Sequence, residues 1–156
     1  MSSRLQCVVP MWTPTDFSRF GPPAKADKYN LVAMISRVSG FEPNEYNVSP
    51  AGKRKVAELS LTTYVSKDDP PVMLVYDGTA EMIKDDHPPA PKVVNDPHHG
   101  WHGVLLADRL KAAGVEHIKF MGPNAAGGPD RRDSEIVKFL VKHLKPARPA
   151  PTGRTP

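Results

Sequence analysis

Two groups of side chains in this 156-residue sequence have types and spacing that could do chemistry. The first is a pair of acids. The apolar run VMLVY over 72–76 is followed by Asp77, Gly78, Thr79, Ala80 and Glu81. An apolar strand that stops at a carboxylate is where many α/β enzymes keep a catalytic group, in the crevice beyond the carboxyl ends of the sheet. Asp77 and Glu81 are therefore the candidate catalytic residues, although a solvated turn acid or a helix cap would use the same residue types. The second group is His98, His99 and His102, with His87 and Asp96 nearby in sequence. On a helix, His98 and His102 would stand at i and i+4, a spacing that clamps a divalent metal if a third ligand arrives from elsewhere. No glutamate lies between them to act as base, as it does in His-Glu-x-x-His. A polar, solvent-facing first turn is the preferred reading, and neither a metal nor another cofactor is expected.

The elements that must position these groups are bounded by proline, glycine and capping residues. Residues 5–12, LQCVVPMW, are apolar apart from Gln6 and run out at Thr13-Pro14, which predicts a first strand. Residues 18–60 mix glycine, proline, asparagine and charge around one weakly amphipathic piece at 31–35, and predict an irregular insertion with one or two short helices. Asp68-Asp69-Pro70-Pro71 launches the second strand, the 72–76 run itself. Asp96 as N-cap and Pro97 at the first helical position predict a helix with Gly103, Leu106, Ala107, Leu110 and Ala113 on one face, stopping at Gly114. Residues 117–121 give a third strand. A last helix, capped by Asp133, carries Ile136, Val137, Leu140, Val141 and Leu144 at helical spacing and has Lys142, His143 and Lys145 near its negative end. Strand, long loop, strand, helix, strand, helix is an α/β order with a parallel sheet.

Composition bounds the rest. The length suits one domain, here 1–145, followed by a Pro/Arg tail at 146–156. Of the 18 prolines, those clustered at 22–23, 70–71, 88–91, 146–151 and 156 lie between the apolar segments, so they act as punctuation rather than as a fibre repeat. A net charge of +4 comes from scattered lysines and arginines, two of them, Arg148 and Arg154, in the tail, and such a balance without a basic face predicts no nucleic-acid partner. The lone Cys7 cannot form an internal disulfide and reads as a small buried hydrophobe. No run reaches membrane-spanning length and the first residues hold no signal-peptide core, so a cytoplasmic location and no membrane partner are expected.

Three stretches, SSRLQCVVPMWTPTDF, TYVSKDDPPVMLVYDG and DPHHGWHGVLLADRLKAAGVEHIKF, together resemble the C-terminal half of α/β-hydrolase fold esterases and lipases of the bacterial acetyl-esterase type. The resemblance covers most of the chain outside 21–57 and the tail. It implies a partial three-layer sandwich with three parallel strands flanked by helices, and a cleft lined by Trp12, for which a buried core aromatic is the plain alternative. In that family the nucleophile is a serine in Gly-x-Ser-x-Gly, followed in order by an acid and a histidine. No serine here lies in such a motif, and the resemblance places the elbow before Met1. The family's His-Gly-Asp-x-Asp turn falls with Gly78 and Ala80 on its two aspartates, so Asp77 and Glu81 flank the acid position. The loop at 122–132, where the family histidine would stand, has no imidazole.

The expectation is a truncated or degenerate esterase-like protein, unable to hydrolyse esters alone. It would act on a small ester only if a missing N-terminal half completed it. The alternative is a non-enzymatic interaction module. The 5–12 strand has no lysine to blunt its outer edge, which predicts self-association or pairing with a protein partner there.

Overall fold

The computed structural model describes residues 5–19, 36–37, 40–41, 49–76, 98–121 and 128–144. The elements are helix α1 (Pro50–Leu59), strand β1 (Val72–Val75), helix α2 (Trp101–Ala113), strand β2 (His117–Phe120) and helix α3 (Gly128–His143), with 3-10 turns at Phe17–Arg19 and Leu61–Thr63. β1 and β2 pair in parallel, Val72 opposite His117 and Val75 opposite Phe120. The α/β character is thus present as a two-stranded parallel sheet joined through α2.

The expected first strand takes a looser form. Residues 8–11 run parallel to the other edge of β1 as two isolated bridges, Val8 to Val72 and Met11 to Val75. Val8 N donates to the Pro71 carbonyl at 2.9 Å and Met73 N to Val8 at 2.9 Å; Val75 N donates to Pro10 at 3.1 Å and Trp12 N to Val75 at 3.0 Å. The constant register puts Pro10 where a donor to the Met73 carbonyl would stand, and proline has no N–H to give. One lost ladder bond is the physical reason that a regular strand is not completed.

All four residues of β1 are buried, as expected for a strand covered on both faces. Alternate side chains divide between two clusters, as the period of two requires. Val72, Leu74 and Tyr76 meet α2 through Trp101, Val104, Leu106, Ala107 and Leu110, with Val115 and Met121 completing the cluster. Met73 and Val75 meet Phe120 and α3's Phe139, with Cys7, Val9 and Ile136 at the margin. Cys7 is thus a packing residue, only partly buried where the sequence suggests a buried one.

The helix boundaries differ from expectation at three places. α2 starts at Trp101 with Gly100 as its cap, not at Asp96 and Pro97, which lie outside the described residues. Its stop at Gly114 (φ 75°) matches the left-handed cap the sequence predicts. α3 starts at Gly128, ahead of Asp133, and is rotated from the expected stripe. Phe139 is its buried residue, whereas Val137, Val141 and Leu144 are exposed. One aromatic removes more apolar surface from water than the smaller valines, so its side of the helix wins the sheet. Within the 18–60 insertion, α1 is capped by the Ser49 hydroxyl, which accepts from Gly52 N at 3.0 Å, with Pro50 in the first turn. The amphipathic piece at 31–35 and the tail at 146–156 lie outside the described residues. At the start of β2, Lys142 of α3 donates to Glu116 at 2.5 Å and holds its carboxyl below the usual range. No described helix is long and apolar enough to cross a membrane.

Gly103 is the tightest point of the packing. A Cβ there would stand 2.6 Å from Tyr76 Cδ2 and 2.6 Å from Met121 Cε. Gly103→Ala is expected to destabilise the fold by roughly 1–3 kcal/mol, because the ring can yield only by leaving its rotamer. Urea unfolding monitored by circular dichroism measures this, and an unchanged midpoint would place the Tyr76 ring elsewhere.

Candidate functional site at the carboxyl ends of the parallel segments

Three chain segments running the same way end together: residues 8–11 at Trp12, β1 at Tyr76 and β2 at Met121. Ligands of open α/β sheets bind at this end. What is built here is a loop, 12–17, fastened to three other parts of the chain. The buried Tyr76 hydroxyl donates to the Thr13 carbonyl at 2.5 Å. His98 Nδ1 meets the Trp12 carbonyl at 2.8 Å; a carbonyl only accepts, so this nitrogen carries the proton. Thr15 is fully buried, donates its hydroxyl to the His102 carbonyl at 2.6 Å, and accepts from Thr62 N at 3.2 Å. Phe17 N donates to the buried Ser60 hydroxyl at 2.9 Å, and that hydroxyl donates to Val56 at 2.8 Å.

Trp12 turns the chain from the sheet into this loop with φ 48°. The left-handed region is unusual for a bulky residue and costs about 1–3 kcal/mol, so it persists only where the surroundings impose it. Here its N–H is held by Val75 and its carbonyl by His98. The Arg132 guanidinium of α3 lies 5.3 Å from the indole centroid, a cation–π contact. Trp12 is half-buried, which suits either a cleft wall or a core aromatic.

Asp77 and Glu81 lie outside the described residues, as do His87 and Asp96. Asp77 directly follows the buried Tyr76 in sequence, at the end of the strand. The histidines form neither the polar, solvent-facing first turn that the sequence favours nor the alternative helical clamp. His98 precedes α2, with Nδ1 turned to Trp12, while His102 is fully buried beside Thr15, with Thr15 N 3.4 Å from its Nδ1. Starting the helix at Trp101 removes the i, i+4 relation on which the clamp depended. His99 accepts from Trp101 N at 3.2 Å and stacks on that indole. Among the described residues no group of three or more His, Cys, Asp or Glu could hold a metal ion.

Sequence reasoning missed Tyr76, Thr15 and Ser60 as the residues that fasten the loop. Thr15 and His102 are 87 residues apart, so no local pattern joins them. The Thr-Pro-Thr after an apolar run was the available signal. No family model, curated protein or solved structure matches this chain.

Burial pushes the Tyr76 hydroxyl above the ordinary tyrosine value. A raised folded-state value favours the protonated native form, so this stabilisation is complete below the unfolded tyrosine pKa near 10 and is lost as pH rises beyond it. Tyr76→Phe is expected to cost roughly 0.5–1.5 kcal/mol at neutral pH, by stranding the Thr13 carbonyl, and to flatten the alkaline fall in stability. Denaturant midpoints for both proteins between neutral pH and pH ~11 measure the two effects.

Proposed function

We propose that the chain is the C-terminal half of an α/β-hydrolase-type domain of esterase or lipase ancestry that does not hydrolyse esters by itself. The observation that carries this reading is the parallel register that sets residues 8–11, β1 and β2 side by side with α2 between the last two. That is the order the family resemblance requires for its last three strands. In such a domain Asp77, directly after β1, is the orienting acid, Glu81 is the alternative, and Trp12 lines the cleft where an ester would lie.

The remaining histidines argue against an autonomous triad. His117 opens β2, with Nδ1 on the Val115 carbonyl at 2.9 Å. His143, late in α3, lies 3.5 Å from Glu116. Both stand at the amino end of β2, and His117 is separated from the carboxyl end by about 10 Å of strand. A general base must come within hydrogen-bond reach of its nucleophile. A second reading, a non-enzymatic interaction module, is favoured by the outer edge of residues 8–11, whose main-chain groups have no main-chain partner among the described residues.

The purified chain is expected to show no turnover of short acyl esters above background. Covalent capture by a fluorophosphonate probe together with matching turnover would overturn the proposal. In an extended or complexed form that is active, Asp77→Asn is expected to lower kcat by about 10⁴-fold, as loss of the orienting acid does in triads. Equal rates would move the acid to Glu81.

A further inference from the structure

Residues 7–11 form a short edge closed at both ends. The chain bends at Gln6, and the left-handed Trp12 turns it away at the other end. Residues 8, 10 and 12 turn their main-chain groups to β1. The strand period therefore turns those of Cys7, Val9 and Met11 outward. Pro10 lies in the inward row, so its missing N–H weakens the bond to β1 and leaves the outer row of donors complete. The Met11 carbonyl accepts the Thr13 hydroxyl at 3.2 Å, a contact at the surface.

We propose that this edge pairs antiparallel with the same edge of a second copy of the chain, about a two-fold axis at Val9. The proposal rests on the interaction-module reading and names its partner. Three observations select a second copy. The outward groups at 7, 9 and 11 are symmetric about Val9, so two copies match residue for residue. Cys7 faces Met11 of the second copy, Val9 faces its own counterpart, and up to about six hydrogen bonds form. Residues 5–15 carry no charge, so self-pairing sets no like charges opposite one another along the strand, the usual device that prevents it.

The third observation is an apolar groove of about 280 Å³ beside the edge, lined by Leu5, Val8, Pro10, Tyr64, Val65 and Leu110 among others. Leu5 is 70 % exposed and Tyr64 62 %. An axis at Val9 sets Val8 against Pro10 of the second copy, so the two grooves become continuous and each is walled by its mate. The bends at Gln6 and Trp12 also choose the register. An axis moved to Pro10 would need Thr13 to continue the strand, beyond the left-handed turn, and would lose the outermost pair of bonds.

The full chain is expected to sediment as a dimer at micromolar concentration. Met11→Lys, which places a charge at an exposed edge position, is expected to shift it to monomer with an unchanged circular dichroism spectrum. Hydrogen-bonded antiparallel pairs hold their Cα atoms about 5.5 Å apart, within the span of a disulfide. Met11→Cys is therefore expected to give a covalent dimer through Cys7 of the second copy on a non-reducing gel, one that Cys7→Ser abolishes. Thr13→Cys is expected to give none. A monomeric wild type, or a dimer unaffected by Met11→Lys, would overturn the proposal, and so would cross-linking through Thr13→Cys in place of Met11→Cys. None of these outcomes bears on ester turnover, so failure here is separable from failure of the hydrolase-ancestry reading.

Discussion

The carboxyl end of this sheet depends on a missing side chain. Gly103 lies in the first turn of α2, and the Tyr76 ring occupies the space a Cβ would fill. That close approach keeps Tyr76 buried at the end of β1, and from there its hydroxyl reaches the Thr13 carbonyl. The same turn of α2 holds His102, whose carbonyl takes the Thr15 hydroxyl. One helix turn thus fixes both the strand end and the loop that leaves the neighbouring segment. The strained Trp12 backbone is held between the two.

Packing on the two faces of β1 follows a different logic from packing at its end. The faces are filled by side chains that differ mainly in volume, and the division between α2 and α3 follows strand alternation. The end is polar. Buried hydroxyls of Thr15, Ser60 and Tyr76 each donate to a main-chain carbonyl. A buried donor left without a partner costs more than the bond contributes, so these contacts act by specifying one arrangement of the 12–17 loop. Glu116 and Lys142, at the other end of β2, are exposed and add little by comparison.

The alternation and punctuation of the sequence made β1, β2 and the Gly114 stop legible, because each rests on residues adjacent in the chain. The Asp96-Pro97 and Asp133 caps misled: good capping residues mark where a helix is permitted to start, and α2 starts instead at the buried Trp101 and α3 at Gly128, ahead of Asp133. The α1 cap, Ser49-Pro50, was as good a signal, and it lay in the insertion expected to hold one or two short helices, whose bounds were not read from it. For the candidate site, the sequence pointed to the carboxyl end of the sheet through the position of Asp77 shortly after β1. It could not show the contacts that build that end, since Thr15 meets His102 and Trp12 meets His98 across separations of 87 and 86 residues. The solvent-facing histidine turn failed for the same reason, because His102 is buried by Thr15 from far upstream.

Those long separations bear on the order of assembly. Among the described elements β1, α2 and β2 follow one another, and their mutual contacts close comparatively short stretches of chain. The loop at 12–17 joins them from far upstream, across 63 residues to Tyr76 and 87 to His102. Extending a closure to that length adds only about 0.6 kcal/mol per doubling, so chain entropy is a small obstacle. The larger one is that Thr13 gains its partner only when Tyr76 has settled against Gly103, and Thr15 its partner only when the first turn of α2 is in place. The upstream segment is therefore expected to dock onto a β–α–β unit that forms first. Until it does, β1 presents a bare apolar flank, and kinetic competition for that flank decides whether the chain completes its own sheet or captures a neighbour.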